Sequence, residues 1–198
     1  MREVGISCKC GKVNGAINLL SPRNFTHLKC RCRSCRAFAR LSGHGQSHID
    51  PDGFVDLVQT LPATMDIKQG LAELRTVVLT QKGPLRWYAS CCDTPLWLTL
   101  GKPKPPFVSI LAENIDDKEV LGPVRYYAFC DDLPKNERPQ PNGAWGGMNL
   151  VGRVITRTLR AMITGKLKAN PFFDESGRVL AKRSDMTKAQ KAALFDQA

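Results

Sequence analysis

The chain has 198 residues, 42% apolar and 24% charged, the profile of one globular domain with its own core and room for an extension. It has no apolar run near the roughly 20 residues of a membrane span, and Met1-Arg2-Glu3-Val4-Gly5-Ile6-Ser7 lacks the apolar core of a signal peptide, so a reducing cytoplasm is the expected compartment. In that setting eight cysteines, in a chain of net charge +11, speak for metal or redox chemistry rather than a disulfide framework.

Cys8-Lys9-Cys10-Gly11 opens the chain with a C-x-C, and Gly11 can take a positive φ that turns backbone amides towards the sulfurs. Val13, Ile17 and Leu19 alternate around Gly15 as a strand does. Ser21-Pro22-Arg23-Asn24 is turn chemistry, and Thr26 to Lys29 leads as a short strand into Cys30-Arg31-Cys32-Arg33-Ser34-Cys35.

This C-x-C-x-x-C spacing lets three thiols converge over one tight turn. Structural zinc wants four such ligands at about 2.3 Å; three leave a fourth position open, as in catalytic sites. The stretch reads either as that open site or as a structural knuckle completed by a distant cysteine. Arg31, Arg33 and Arg36 surround it with positive charge, which favours thiolate and attracts anions.

Arg36 to Leu41 suits a helical turn or a short strand. His44 and His48, in and after the Ser42-Gly43-His44-Gly45 loop, are candidate ligands or proton carriers, or plain surface polarity. Asp50-Pro51-Asp52-Gly53 is a turn. Strands are expected over 54–61, over 71–80 with β-branched residues near its end, from Leu85 into Cys91-Cys92, over 107–111 and over 124–130, with the apolar Leu96-Trp97-Leu98 after a proline turn.

The segment from Pro134 to Gly147 holds three prolines and three glycines, the composition of a linker. The expected division is a domain over 1–133, a linker over 134–147 and a basic helical extension over 148–198. Residues 1–132 carry 17 Lys and Arg against 13 Asp and Glu (+4), and residues 133–198 carry 12 against 5 (+7). Such a segment can meet nucleic acid, an anionic surface or an acidic protein, or can simply present solvated helix faces.

Leu150, Val151, Val154, Ile155, Leu159, Met162 and Ile163 recur at helical spacing, with Arg153, Arg157 and Arg160 along another face. The apolar stripe is expected to pack on the domain. Gly165 stops that helix, and Thr187-Lys188-Ala189-Gln190 has the form of a capping box that starts a terminal helix.

Thiols at 8/10, 30/32/35 and 91/92 are too many for one zinc and suit two. Cys8 and Cys10 would close a structural site with the Cys91/Cys92 pair, leaving Cys30, Cys32 and Cys35 to a second, open one. Adjacent thiols on one ion demand an awkward backbone, so one of Cys91 and Cys92 is expected as ligand, the other as a spare or a ligand of the neighbouring site.

In their order and spacing, Cys8-Lys9-Cys10-Gly11, Cys30 to Arg36 and Tyr88 to Leu96 resemble the glutathione-dependent formaldehyde-activating enzymes, whose domain is shared with centromere protein V. The resemblance covers about residues 5–130, with departures from the family pattern at Arg33, Ala89 and Asp93. It implies a mainly β, Mss4-like arrangement of small twisted antiparallel sheets around two zinc ions. One ion is structural, on Cys8, Cys10 and Cys92; the other is labile, on Cys30, Cys32 and Cys35. The implied activity is of carbon–sulfur lyase type, condensing glutathione with formaldehyde, with the arginines pairing with the tripeptide's carboxylates. The competing expectations are a non-catalytic zinc module whose basic C-terminal part binds nucleic acid or a protein and, more remotely, a thiol–disulfide oxidoreductase.

Overall fold

The computed structural model describes residues 3–18, 24–41, 48–139, 146–163, 165, 170–184 and 186–196; the expectations for His44 and for the turn at 21–23 lie outside them. In chain order the strands are β1 Glu3–Ser7, β2 Asn14–Asn18, β3 Thr26–Cys30, β4 Val55–Thr60, β5 Met65–Gln69, β6 Leu74–Val77, β7 Leu85–Ala89, β8 Thr94–Thr99, β9 Val108–Leu111, β10 Tyr126–Ala128 and β11 Lys182–Arg183. The helices are α1 Arg33–Ala39, α2 Gly146–Ile163 and α3 Lys188–Asp196. The protein is thus mainly β, and its last element is a helix.

Alternation sets the first sheet. Val4 and Ile6 of β1 and Ile17 of β2 are buried, and β1, β2 and β5 pair antiparallel in that order. The second sheet is a single layer of eight strands, β10-β3-β4-β9-β8-β7-β6-β11. Its inner pairs are antiparallel, but β10 runs parallel to β3 and β11 parallel to β6 at the two edges. Small antiparallel sheets, as expected, are therefore only part of the picture. All residues of β8 and β9 are buried, so both faces of the sheet's centre are covered.

The cover on one side comes from beyond the expected linker. Phe172 is fully buried, its ring centroid 5.1 Å from that of Trp87 and 5.7 Å from that of Trp97. Phe173 and Ala181 join the same cluster, and β11 then extends the sheet. The segment expected as an appended extension supplies core.

Helix α2 turns Arg153 and Arg157 inward and most of its apolar stripe outward, against expectation, while Leu150 packs on the core and Arg160 is exposed as expected. Arg157 is buried and donates to the Gln59 carbonyl at 2.6 Å; Arg153 donates to the Phe25 carbonyl at 3.2 Å. Val151, Ile155, Leu159, Met162 and Ile163 are exposed. The reason lies in the surface beneath, which offers backbone carbonyls at the ends of β3 and β4 that only donors can satisfy. The capping box of α3 is present: Gln190 N donates to Thr187 Oγ1 at 3.2 Å and Thr187 N to Gln190 Oε1 at 2.8 Å. Leu194 and Phe195 then pack against the cluster that contains Cys30, Cys35 and Phe38. Among the described residues no helix is long and apolar enough to cross a membrane.

Candidate metal centres

The β1–β2 connection is a tight knuckle. Cys8 N donates to the Val13 carbonyl and Gly11 N to the Cys8 carbonyl, both at 2.9 Å, with Gly11 at φ 75°. The fold also turns an amide onto the sulfur, since Val13 N donates to Cys8 Sγ at 3.3 Å. The β7–β8 connection faces it with Cys91 and Cys92. Sulfur–sulfur distances are 3.6 Å for Cys8–Cys10, 3.9 Å for Cys8–Cys91, 3.3 Å for Cys10–Cys91 and 3.8 Å for Cys91–Cys92. All four sulfurs lie within 4.8 Å of one another and could hold a metal ion.

Both members of the Cys91/Cys92 pair therefore reach the group, where one had been expected to stand apart. The backbone that permits this turns at Asp93, whose φ of 51° lies in the left-handed region that Asp tolerates better than most residues. Thr94 ties the two loops together, its Oγ1 accepting from Lys9 N at 3.2 Å and lying 3.0 Å from Cys92 Sγ. Burial pushes the Cys8 and Cys91 thiols up. Cys92 goes down: burial would raise it, but bonds from the Thr94 hydroxyl, the Cys10 amide and the neighbouring thiols outweigh that.

The second group forms where β3 runs into α1. Cys30 ends the strand, Cys32 caps the helix with its Sγ accepting from Cys35 N at 3.3 Å, and Cys35 lies on the buried side of the first turn. Their three sulfurs also fall within 4.8 Å and could hold a metal ion, with no further His, Cys, Asp or Glu in the group among the described residues. The Cys32 thiol is lowered by bonds from the Cys30 and Cys35 thiols, against burial, with help from the Ser34 hydroxyl and the Cys35 amide. Cys30 is raised, chiefly because it donates to the other two sulfurs.

The expected arginines are already engaged. Arg31 Nε lies 3.1 Å from both carboxylate oxygens of Asp132, and Arg36 Nη2 lies 3.6 Å from Asp132 Oδ2. Arg33 is exposed and donates to the Phe195 carbonyl at 3.4 Å. Cys130 belongs to neither group. His48 also stands outside both groups. It is buried, its Nδ1 without a hydrogen-bond partner, and it lines a groove of about 550 Å³ with Cys8, Thr94 and Glu113.

Sequence reasoning passed over Arg86. It is 1% exposed in the middle of β7 and donates from Nη2 to Ser34 Oγ at 2.8 Å. The available signal was a lone charge between Leu85 and Trp87 in an otherwise apolar strand.

Fold and site together define a mainly β protein with two cysteine groups, each able to hold a metal ion. The chain belongs to the family of unknown function DUF6151, whose model matches residues 1–182, a span that runs past the proline-rich segment into β11. It is also similar to a structural-genomics target, the crystal structure of a Rhodobacter sphaeroides protein. That likeness is at 16% identity with a TM-score of 0.42, over 63% of this chain and 99% of the other. None of the curated proteins compared with the chain matches it.

Proposed function

We propose that the chain is a two-zinc protein of Mss4-like architecture whose Cys30/Cys32/Cys35 site binds and activates an external thiol, glutathione or a related adduct, for carbon–sulfur lyase-type chemistry. The observation that carries the reading is the difference between the two groups. Four of the six separations among the sulfurs are 3.3 to 3.9 Å, and all lie within 4.8 Å, close to the edges, about 3.8 Å, of a tetrahedron built on zinc–sulfur bonds of about 2.3 Å. That site is closed. At the second group the three sulfurs are the whole ligand set among the described residues, and they leave one tetrahedral position, which we assign to a ligand from outside. The order of the motifs, which resembles the glutathione-dependent formaldehyde-activating enzymes, supports the same assignment.

Zinc, when bound, supplies the positive charge that holds a thiol in its nucleophilic form near neutral pH. The reaction itself is an addition without redox change. The thiol sulfur forms a bond to the aldehyde carbon, the carbonyl π pair moves to oxygen, and the proton lost from sulfur ends on that oxygen; lysis is the reverse. Because Arg31 and Arg36 are paired with Asp132, a tripeptide carboxylate would compete with Asp132 for them. The proposal therefore rests on the sulfur of the ligand rather than on its carboxylates.

A second reading is a non-catalytic zinc module, with the basic C-terminal part serving nucleic acid or a protein partner. The packing of α3 beside the second group, with Arg33 bound to the Phe195 carbonyl, favours it, since the chain then covers its own site. Native mass spectrometry before and after addition of reduced glutathione separates the two readings. Two zinc ions, with a bound tripeptide or loss of one ion on addition, are expected. Two ions indifferent to glutathione, or a single ion, would sink the enzyme reading and favour the module, for which salt-sensitive nucleic-acid binding is the next measurement.

A further inference from the structure

Arg86 lies 1% exposed beneath α1, with Nη1 buried and without a partner. Its contacts among the described residues are the Ser34 hydroxyl at 2.8 Å and the Phe38 ring, 5.3 Å from guanidinium carbon to centroid. Neither is a counter-ion. A guanidinium held out of water is costly unless a negative charge answers it, and no carboxylate pairs with this one among the described residues.

The chain of contacts leads instead to sulfur. A guanidinium only donates, so Ser34 Oγ accepts from Arg86 and its own hydrogen is free to turn to an acceptor. Cys32 Sγ is 3.6 Å away. The arginine thus leaves the serine's hydroxyl hydrogen free to be donated to the sulfur once that sulfur is a thiolate.

We propose that Arg86, acting through Ser34, is the counter-charge and positioning residue of the Cys30/Cys32/Cys35 metal site. Three thiolates around a divalent ion carry one net negative charge, and one buried guanidinium brings the assembly to neutrality. The arrangement favours the metal-loaded, fully deprotonated triplet over protonated thiols. It assigns to Arg86 the positive field that the sequence suggests for Arg31, Arg33 and Arg36, which are spent on Asp132 and the Phe195 carbonyl. The inference rests on the reading that this group binds zinc.

The test compares wild type with Arg86→Met, Arg86→Lys and Ser34→Ala. Zinc per chain is followed by competition with a chelator, and cobalt(II)-loaded protein is followed by its thiolate charge-transfer absorption. The group at Cys8, Cys10, Cys91 and Cys92 is the internal control in every sample.

The expected result is that Arg86→Met weakens the second equivalent of zinc by about ten- to a hundredfold while the first is held as before. Arg86→Lys restores part of the loss, and Ser34→Ala shifts the cobalt absorption of the second site. Wild-type affinity and spectrum in Arg86→Met and Ser34→Ala would overturn the proposal and leave Arg86 a packing residue. Should Arg86→Met fail to fold, Ser34→Ala alone decides, since it removes one hydroxyl, and an unchanged second site there also overturns it. A wild-type chain that binds only one ion overturns the underlying reading as well, and shows it before any variant is made.

Discussion

His27 joins β3 to β4 and to the 3₁₀ turn that ends at Gly122. Its Nε2 lies 2.8 Å from Asp56 Oδ1 and its Nδ1 2.8 Å from the Gly122 carbonyl. Both neighbours accept, so the doubly protonated ring suits the site. Burial alone would lower its pKa and Lys29 opposes the charge, yet the bond and charge of Asp56, with the Gly122 carbonyl, raise it. A raised folded pKa contributes stability that is fully present below the unfolded value of about 6.5 and is lost as pH rises through the folded value. The stability gap between wild type and His27→Gln, from urea unfolding, should therefore shrink as pH rises above about 6.5; a gap independent of pH would make the ring a packing element only.

The cysteines give a second prediction at the same scale. Cys10 is exposed but completes the group to which the buried Cys8 belongs. Cys10→Ser should lose the closed site and much of the folding free energy, since metal binding at such sites is worth on the order of 10 kcal/mol of folding. Cys32→Ser should lose one equivalent of metal and still melt cooperatively. Metal analysis together with thermal unfolding reads both, and collapse of the Cys32 variant would make the two sites alike.

At the scale of elements, the middle of α2 turns an arginine inward and apolar side chains outward, against its periodicity. Arg157 sits under the helix on the Gln59 carbonyl, and Leu159 points to solvent. Arg157→Met should cost about 1.5–3 kcal/mol, the worth of a charged hydrogen bond. Leu159→Gln should stay within about 0.5 kcal/mol, as exposed substitutions usually do. Denaturant unfolding of the two variants checks the order, and the opposite order would return the helix to its apolar side. The capping box of α3 makes a milder claim: Thr187→Ala should cost that helix about 1 kcal/mol, read as faster amide exchange over Lys188–Asp196.

For the whole molecule, the decisive contact is the one between the late segment and the central strands. Phe172 fills the space between Trp87 and Trp97, and no part of its side chain is exposed. Phe172→Ala should destabilise the protein by about 3–5 kcal/mol, the usual range for a buried phenylalanine. A global melting temperature that fell, with loss of tryptophan fluorescence in its native environment, would bear this out. An unchanged melting temperature would show that 170–184 is dispensable to the core.

Local chemistry made several features legible from the sequence alone. The strand β2, the turn at Asp50-Pro51-Asp52-Gly53, the positive φ at Gly11 and the capping box of α3 are short-range, set by residues within a few positions of one another. So are the spacings that grouped Cys30, Cys32 and Cys35.

Tertiary structure decided what depends on distant partners. The burial of Arg157 and Arg86 follows from acceptors on other strands, which no periodicity encodes. The joint arrival of Cys91 and Cys92 at one site needed the backbone turn at Asp93 and the knuckle opposite. The place of Phe172 needed two tryptophans more than seventy residues earlier. A free energy of burial belongs to the pair of surfaces that meet, and sequence shows only one surface at a time.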